Sequence, residues 1–284
     1  MDEPFIGSEA VNAGILRPHQ LRSRFRAVFP DVYLPRDHQQ FTLRQRAVAA
    51  WLWSHRRGVL AGTTAAAWHG SKWVDDRLPI ALIWSNARAP RGIQTHDISL
   101  AAGEFDAVAG LPVTTPQRTA FDIARAKPMG TAVARLDALM RATDVTVPEV
   151  CEIAALHRGA RGLRQLETAL GLVDTGSQSP KETWLRLLLI HAGLPRPTTQ
   201  IPVVTADGAR VYHLDMGWAD SMVAVEYDGE QHRLDRRQYA WDIRRGEDLA
   251  RLGWIVIRVV VTDHPADVIR RVRAALEFRA SNMR

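Results

Sequence analysis

From Ser179 onward the apolar residues switch repeatedly between helical and extended spacing, and the order of those switches limits the fold more than any other feature of the chain. Residues 180 to 192 have helical spacing, with Trp184, Leu187, Leu188 and Ala192 among the apolar positions and Gly193 placed as the stop. Strand-like runs follow at 200–205, 211–217 and 222–228, separated by the turn formers Asp207-Gly208 and Ala219-Asp220-Ser221. A helix from about Asp235 to Leu252 ends at Gly253, the run WIVIRVV (254–260) reads as a buried strand, and a last helix starts near Pro265. The predicted order is αβββαβα.

The polar, turn-rich stretch Asp174-Thr175-Gly176-Ser177-Gln178-Ser179-Pro180 separates this segment from what precedes it. A softer boundary at Pro35-Arg36-Asp37-His38-Gln39-Gln40 gives three expected domains, 1–40, 41–174 and 179–284. In the first, Ser8 to Ala13 and Pro18 to Ser23 read as two short helices joined by Gly14, followed by an extended run over 28–35, an order that suits a small winged helix. Arg17, His19, Arg22, Arg24 and Arg26 crowd its second helix and exit, where a recognition helix offers cations to DNA, although a solvated basic face has the same composition. The middle region mixes helices at 42–55, 61–69, 130–142, 147–156 and 161–172 with a strand at 79–85, and Thr115 caps a helix opened by Pro116. Nothing in it has the spacing of a catalytic constellation. The expected class is α+β and multidomain.

Composition narrows the function classes. The 46% hydrophobic content supplies real cores, and no stretch approaches the length of a membrane span, so a soluble, cytoplasmic protein is expected. The single cysteine, Cys151, excludes an internal disulfide framework and a cysteine-rich zinc cluster, and among the apolar residues of VCEIAAL it reads as core filling. A net charge of +6 and a pI near 10.1 favour polyanionic partners such as DNA, though the arginine bias behind them also follows from a GC-rich genome.

Three carboxylates stand out. Asp215 lies on one expected strand, and Glu226 and Asp228 lie on its hairpin partner, two residues apart and so on one face. Carboxylates gathered at the end of apolar strands repel unless a cation lies between them, and a hard divalent ion, Mg²⁺ or Mn²⁺, fits oxygen ligands. Such an ion lowers the pKa of a bound water and stabilises charge on a scissile phosphate.

Two resemblances follow from these residues. HLDMGWADSMVAVEYDGEQHRLDRRQYAWDIRRGEDLARLGWIVIRVV resembles the PD-(D/E)xK endonuclease-like domains related to the very-short-patch-repair nucleases, whose restriction-endonuclease-like core has the αβββαβ order. It carries their aspartate (Asp215), their Glu-x-Asp-Gly-x-x-His run (Glu226 to His232), an Asp-x-x-Arg helix (Asp242 to Arg245) and Gly253-Trp254. The resemblance implies a metal-dependent DNA endonuclease or nickase. Where the broader motif ends in lysine this chain has Asp228, and no lysine follows Lys181. The related subgroup uses carboxylates with histidine, so His232 is expected to orient or deprotonate the attacking water. Before the linker, VYLP, VLAGTTAAAWHG (59–70) and GLPVTTPQRTAFDIA (110–124) resemble the amino-terminal part of AbiEi-type antitoxin-like proteins, which implies a winged helix that binds DNA and represses transcription.

Several residues have a second, non-catalytic explanation. Glu182 is the third helical residue of a capping box begun by Ser179, and it also stands where related nucleases send a glutamate to the metal. Asp228 precedes Gly229 and suits an Asp-Gly turn. Asp242 and Arg245 can form an i,i+3 ion pair, or Arg245 can face a phosphate. Two functions therefore compete: a Mg²⁺- or Mn²⁺-dependent endonuclease targeted by its amino-terminal domain, and a non-catalytic, antitoxin-like DNA-binding regulator with a degenerate nuclease fold. The oligomeric state is not legible from the residues.

Overall fold

In the computed structural model, residues 3–37, 40–86, 88–229 and 236–282 are described, the side chains of 236–240 excepted. The chain divides into two units, Met1–Gly171 and Leu172–Arg284. The architecture is α+β. Among the described residues no helix is long and apolar enough to cross a membrane.

The first unit begins with β1 (Phe5–Ile6), α1 (Gly7–Asn12), α2 (Pro18–Arg24), β2 (Phe25–Phe29) and β3 (Val32–Pro35), with the strands paired antiparallel in the order β1-β3-β2. Pro18 opens α2, where its missing N–H costs nothing, and the Arg17 N–H donates to the Gln20 side chain at 2.9 Å. The run 28–35, expected to be continuous, is instead broken into two strands by Pro30-Asp31, with Asp31 in the left-handed region at φ 59°. Ala10, Leu16, Leu21 and Phe25 form a small core of their own, whereas Ile6, Phe29 and Val32 join Leu43, Ala47 and Leu60 in a larger one.

That larger core lies between α3 (Leu43–Trp53) and a mixed sheet of order β6-β5-β4-β8-β7, built from β4 (Val59–Leu60), β5 (Ile80–Ile83), β6 (Ile93–His96), β7 (Phe105–Val108) and β8 (Leu111–Thr114). Alternation along β5 sends Ile80 and Leu82 to the α3 side and Ile83 to the opposite face with Val59 and Ala61. The short α4 (Gly62–Trp68) follows β4, and α5 (Pro116–Ala124), α6 (Met129–Ala142), α7 (Val147–Leu156) and α8 (Leu163–Leu172) complete the unit. Thr115 caps α5 through the Arg118 N–H, as the sequence suggests. Cys151 is exposed rather than core filling, because α7 turns the neighbouring Val150 inward instead.

The second unit runs α9 (Pro180–His191), β9 (Thr198–Val204), β10 (Val211–Trp218), β11 (Val223–Tyr227), α10 (Arg236–Arg251), β12 (Ile255–Val259) and α11 (Pro265–Asn282). The sheet order is β12-β11-β10-β9; β9, β10 and β11 form an antiparallel meander, and β12 joins β11 in parallel after the α10 crossover. One face packs Val223, Val225, Ile257 and Val259 against Leu185 and Leu189 of α9 and Val268 and Val272 of α11. The other packs Ile201, Tyr212, Leu214 and Ala224 against Leu249 of α10. The segment before α9 is tied to it by Arg186, fully buried, whose guanidinium donates to Ser177 Oγ at 3.0 Å and to the Leu172 carbonyl at 2.6 Å.

Candidate functional site

Strict alternation fails in β10 at the residue that matters most. Leu214 and Met216 are both fully buried and two positions apart, yet they enter different cores, with Asp215 between them. The pairing of β10 with β9 passes over Asp215 and over Gln200, which adopts a φ of 51°. This local break lets the Asp215 carboxylate turn along the sheet, where Oδ2 accepts the Tyr227 N–H of β11 at 2.9 Å.

Glu226 shares its strand face with Ala224, toward α10, and is buried. Arg245, from α10, meets it with both terminal nitrogens: Nη1 donates to Oε2 at 2.8 Å and Nη2 to Oε1. Arg245 Nη2 also donates to the His213 carbonyl at 2.9 Å, and the guanidinium lies about 6 Å from the ring centres of Tyr212 (5.8 Å) and Trp241 (5.9 Å). The sequence left Arg245 between an ion pair with Asp242 and a phosphate contact. Its hydrogen bonds are in fact directed at β10 and β11, while Asp242 contributes its charge nearby.

Asp228, half-buried, borders the same cleft of about 470 Å³ as Asp215, Glu226, Arg245 and Arg258. Its N–H is spent on the Val259 carbonyl at 2.8 Å, which continues the β11–β12 pairing. Glu182 forms half of the expected capping box. Its N–H donates to Ser179 Oγ at 3.2 Å, but its carboxylate accepts from Gln178 N at 2.7 Å, one residue before the cap. Buried there, it is also close enough to act on Asp215. Burial, then the charge of Glu182, then that of Glu226 push the Asp215 carboxyl up to about 7, against the opposing pull of the Tyr227 N–H and Arg245. His232 lies outside the described residues.

A divalent ion at these groups would share Glu226 with Arg245, which already pairs with it. Among the described residues no three His, Cys, Asp or Glu side chains are grouped to hold a metal. The position where a cation would balance Glu226 is filled by a guanidinium. The sequence argument that clustered carboxylates need a cation holds here in a different form, since the cation is part of the chain.

In the first unit, Arg17, Arg22, Arg24 and Arg26 are exposed on α2, its cap and the start of β2. Arg26 stacks on Phe41, its Cζ 4.3 Å from the ring centre, and the Arg22 carbonyl accepts from Arg36 at 3.0 Å. A buried network that the residue pattern did not reveal lies elsewhere in this unit. Arg118, 2% exposed, donates to Glu104 at 2.5 Å and to Asp122 at 3.0 Å, and His157 approaches the other oxygen of Glu104. Burial pushes the Glu104 carboxyl up, but His157, the Ala101 N–H and the Arg118 charge together hold it below its ordinary value.

Two uncharacterized proteins of Mycobacterium tuberculosis, from strains CDC 1551 / Oshkosh and ATCC 25618 / H37Rv, are each 31% identical to this chain over 156 residues, or 55% of it. The similarity spans 57% of the length of each relative. No solved structure matches the chain. Residues 56–175 match the AbiEi antitoxin C-terminal domain family, a span that holds the 59–70 and 110–124 motifs, read above as like the amino-terminal part of such proteins, and leaves residues 1–55 and 176–284 outside it.

Proposed function

We propose that this protein is a DNA-binding, antitoxin-like regulator, and that its second unit is a nuclease-like fold whose acidic centre is closed by Arg245. The match of residues 56–175 to the AbiEi antitoxin C-terminal domain carries this reading. Two observations support it. The helices α1 and α2 followed by the β2–β3 hairpin have the order of a winged helix, and Arg17, Arg22, Arg24 and Arg26 on and beside α2 supply exposed cations for phosphates and base edges. The two-pronged contact of Arg245 with Glu226 removes the carboxylate that a catalytic metal needs. Gel shifts of the full-length protein on duplex DNA, over a salt series, test the reading. Specific complexes whose affinity falls with salt are expected, and an absence of any complex at low salt overturns it.

A second reading, a Mg²⁺- or Mn²⁺-dependent DNA endonuclease using Asp215, Glu226, Asp228, Glu182 and His232, is favoured by one observation: the Asp215 carboxyl is pushed up to about 7 in a cleft it shares with Glu226 and Asp228. That reading requires Arg245 to release Glu226 when DNA arrives. Supercoiled plasmid incubated with the protein and Mg²⁺ separates the two. Cleavage that chelator stops, and that Asp215→Ala and Glu226→Ala both abolish, would establish the nuclease; intact plasmid leaves the regulator.

A further inference from the structure

A cavity of about 400 Å³ lies in the first unit, between the face of the five-stranded sheet that carries Ile83 and the helices α5 and α6. Its polar lining is Thr63, Gln94, His96, Asp122, Arg125 and Arg135. The carboxylate in that set is already committed, because Asp122 accepts from Arg118 at 3.0 Å and from Arg125 at 2.7 Å. Arg125 in turn gives Nη1 to the Arg161 carbonyl at 2.9 Å and stacks on Phe121, its Cζ 4.3 Å from the ring centre.

Arg135 is different. It projects from α6 into the cavity half-buried, and among the described residues no carboxylate or carbonyl takes a hydrogen bond from it. Burial holds its guanidinium below the ordinary value with no neighbouring charge to oppose it. A half-buried, unpaired guanidinium is a standing cost to the fold unless an anion completes it. Among the acidic and basic side chains that line the cavity, Arg125 and Arg135 outnumber Asp122, which Arg118 and Arg125 already share, so the cavity carries uncompensated positive charge.

We propose that this cavity binds a small organic phosphate, with Arg135 as the charge that receives the phosphate group. Three features argue for that class. Arg135, Thr63, Gln94 and His96 offer more donors than the two oxygens of a carboxylate can accept, and a planar guanidinium matches phosphate oxygens two at a time. The remaining wall is apolar, with Ala61, Ala81, Ile83 and Ile123 facing the space, so the ligand carries an organic body and not phosphate alone. The volume is in the range of small-molecule sites. The site is independent of the acidic centre and extends the antitoxin-like reading to a domain that senses a metabolite.

The test uses the full-length protein with adenosine 5′-monophosphate, adenosine and inorganic phosphate as probes, followed by titration calorimetry and by Tm. Adenosine monophosphate is expected to bind saturably and raise Tm, inorganic phosphate to bind more weakly, and adenosine not to bind. Arg135→Met keeps the aliphatic stem. It should weaken adenosine monophosphate binding about tenfold to a hundredfold, the usual loss for hydrogen bonds to a charged group, while the Tm of the ligand-free protein holds or rises. The proposal fails if neither phosphate binds, if adenosine binds as well as its phosphate, or if Arg135→Met lowers the ligand-free Tm and leaves binding unchanged. Loss of duplex DNA affinity in Arg135→Met with no change toward the nucleotide also overturns it, and would place Arg135 on a nucleic-acid surface.

Discussion

Arg245 of α10 grips Glu226 of β11 with both terminal nitrogens, and the two side chains are 11% and 10% exposed. Because the pair is withdrawn from water, each charge depends on the other. Arg245→Met should destabilise the protein by about 3–5 kcal/mol, since it strands a buried carboxylate. The double variant Glu226→Gln with Arg245→Met should lose much less. Urea denaturation of the two single variants and the double at pH 7 gives the coupling directly, and a loss in the double equal to the sum of the two single losses would show that the pair does not act as a unit.

Asp215 gives a pH signature of opposite sign to an ordinary acid. Its folded value, about 7, lies above the unfolded 3.8, so between these limits the folded state binds the extra proton and stability falls as pH rises. Asp215→Asn should therefore leave stability near pH 4 unchanged and raise it at pH 8, by on the order of 2–4 kcal/mol. Melting curves with chelator present, taken from pH 4 to pH 8, are expected to show the wild type starting level with the variant and falling below its flatter profile as pH rises. Parallel profiles would refute the burial of this charge.

Glu104 behaves in the usual direction. Held below 4.5 by His157, Ala101 N–H and Arg118, it stabilises the first unit above its unfolded value, and that contribution is lost as pH falls through the folded one. Glu104→Gln leaves Arg118 buried without its closest partner and should cost about 3–5 kcal/mol at pH 7. The same variant should flatten the acid limb of the stability profile, which chemical denaturation between pH 3 and pH 7 measures.

The basic helix makes a prediction about salt. If Arg17, Arg22 and Arg24 each neutralise a phosphate, each alanine substitution should reduce the slope of log affinity against log salt by about 0.9 and weaken binding across all duplex sequences alike. Gel shifts between low and moderate salt read both quantities. A slope unchanged in the triple variant would move the DNA contact away from α2.

Much of the second unit was legible from period alone. The helix, three-strand, helix, strand, helix order predicted from spacing is the order observed, with element ends displaced by one or two residues. Signals were strong there because each strand has apolar faces to bury and the helices α9 and α10 end at Gly193 and Gly253. In the first unit β1, β4, β6, β7 and β8 escaped notice. β4 has two residues, and β7 is an exposed edge strand with no buried face to mark it. The Glu104–Arg118–His157 network was equally invisible, because its members lie 14 and 39 residues apart along the chain and converge only through packing.

Local physics decided which residues would meet a strand, a cap or a turn: alternation put Glu226 on the α10 face, Pro116 and Thr115 began α5, and the lack of lysine beyond Lys181 removed one nuclease mechanism. Tertiary structure decided what those residues face. The sequence required a cation beside the buried carboxylates but could not say which one, since a metal ion and a guanidinium satisfy the same electrostatic demand. Only the crossing of α10 over β10 and β11 brings Arg245 to Glu226, and only the irregular pairing at Asp215 turns its carboxylate toward the Tyr227 N–H with Glu182 as a like-charged neighbour. Charge recognises distance in space, and hydrophobic period carries no record of it.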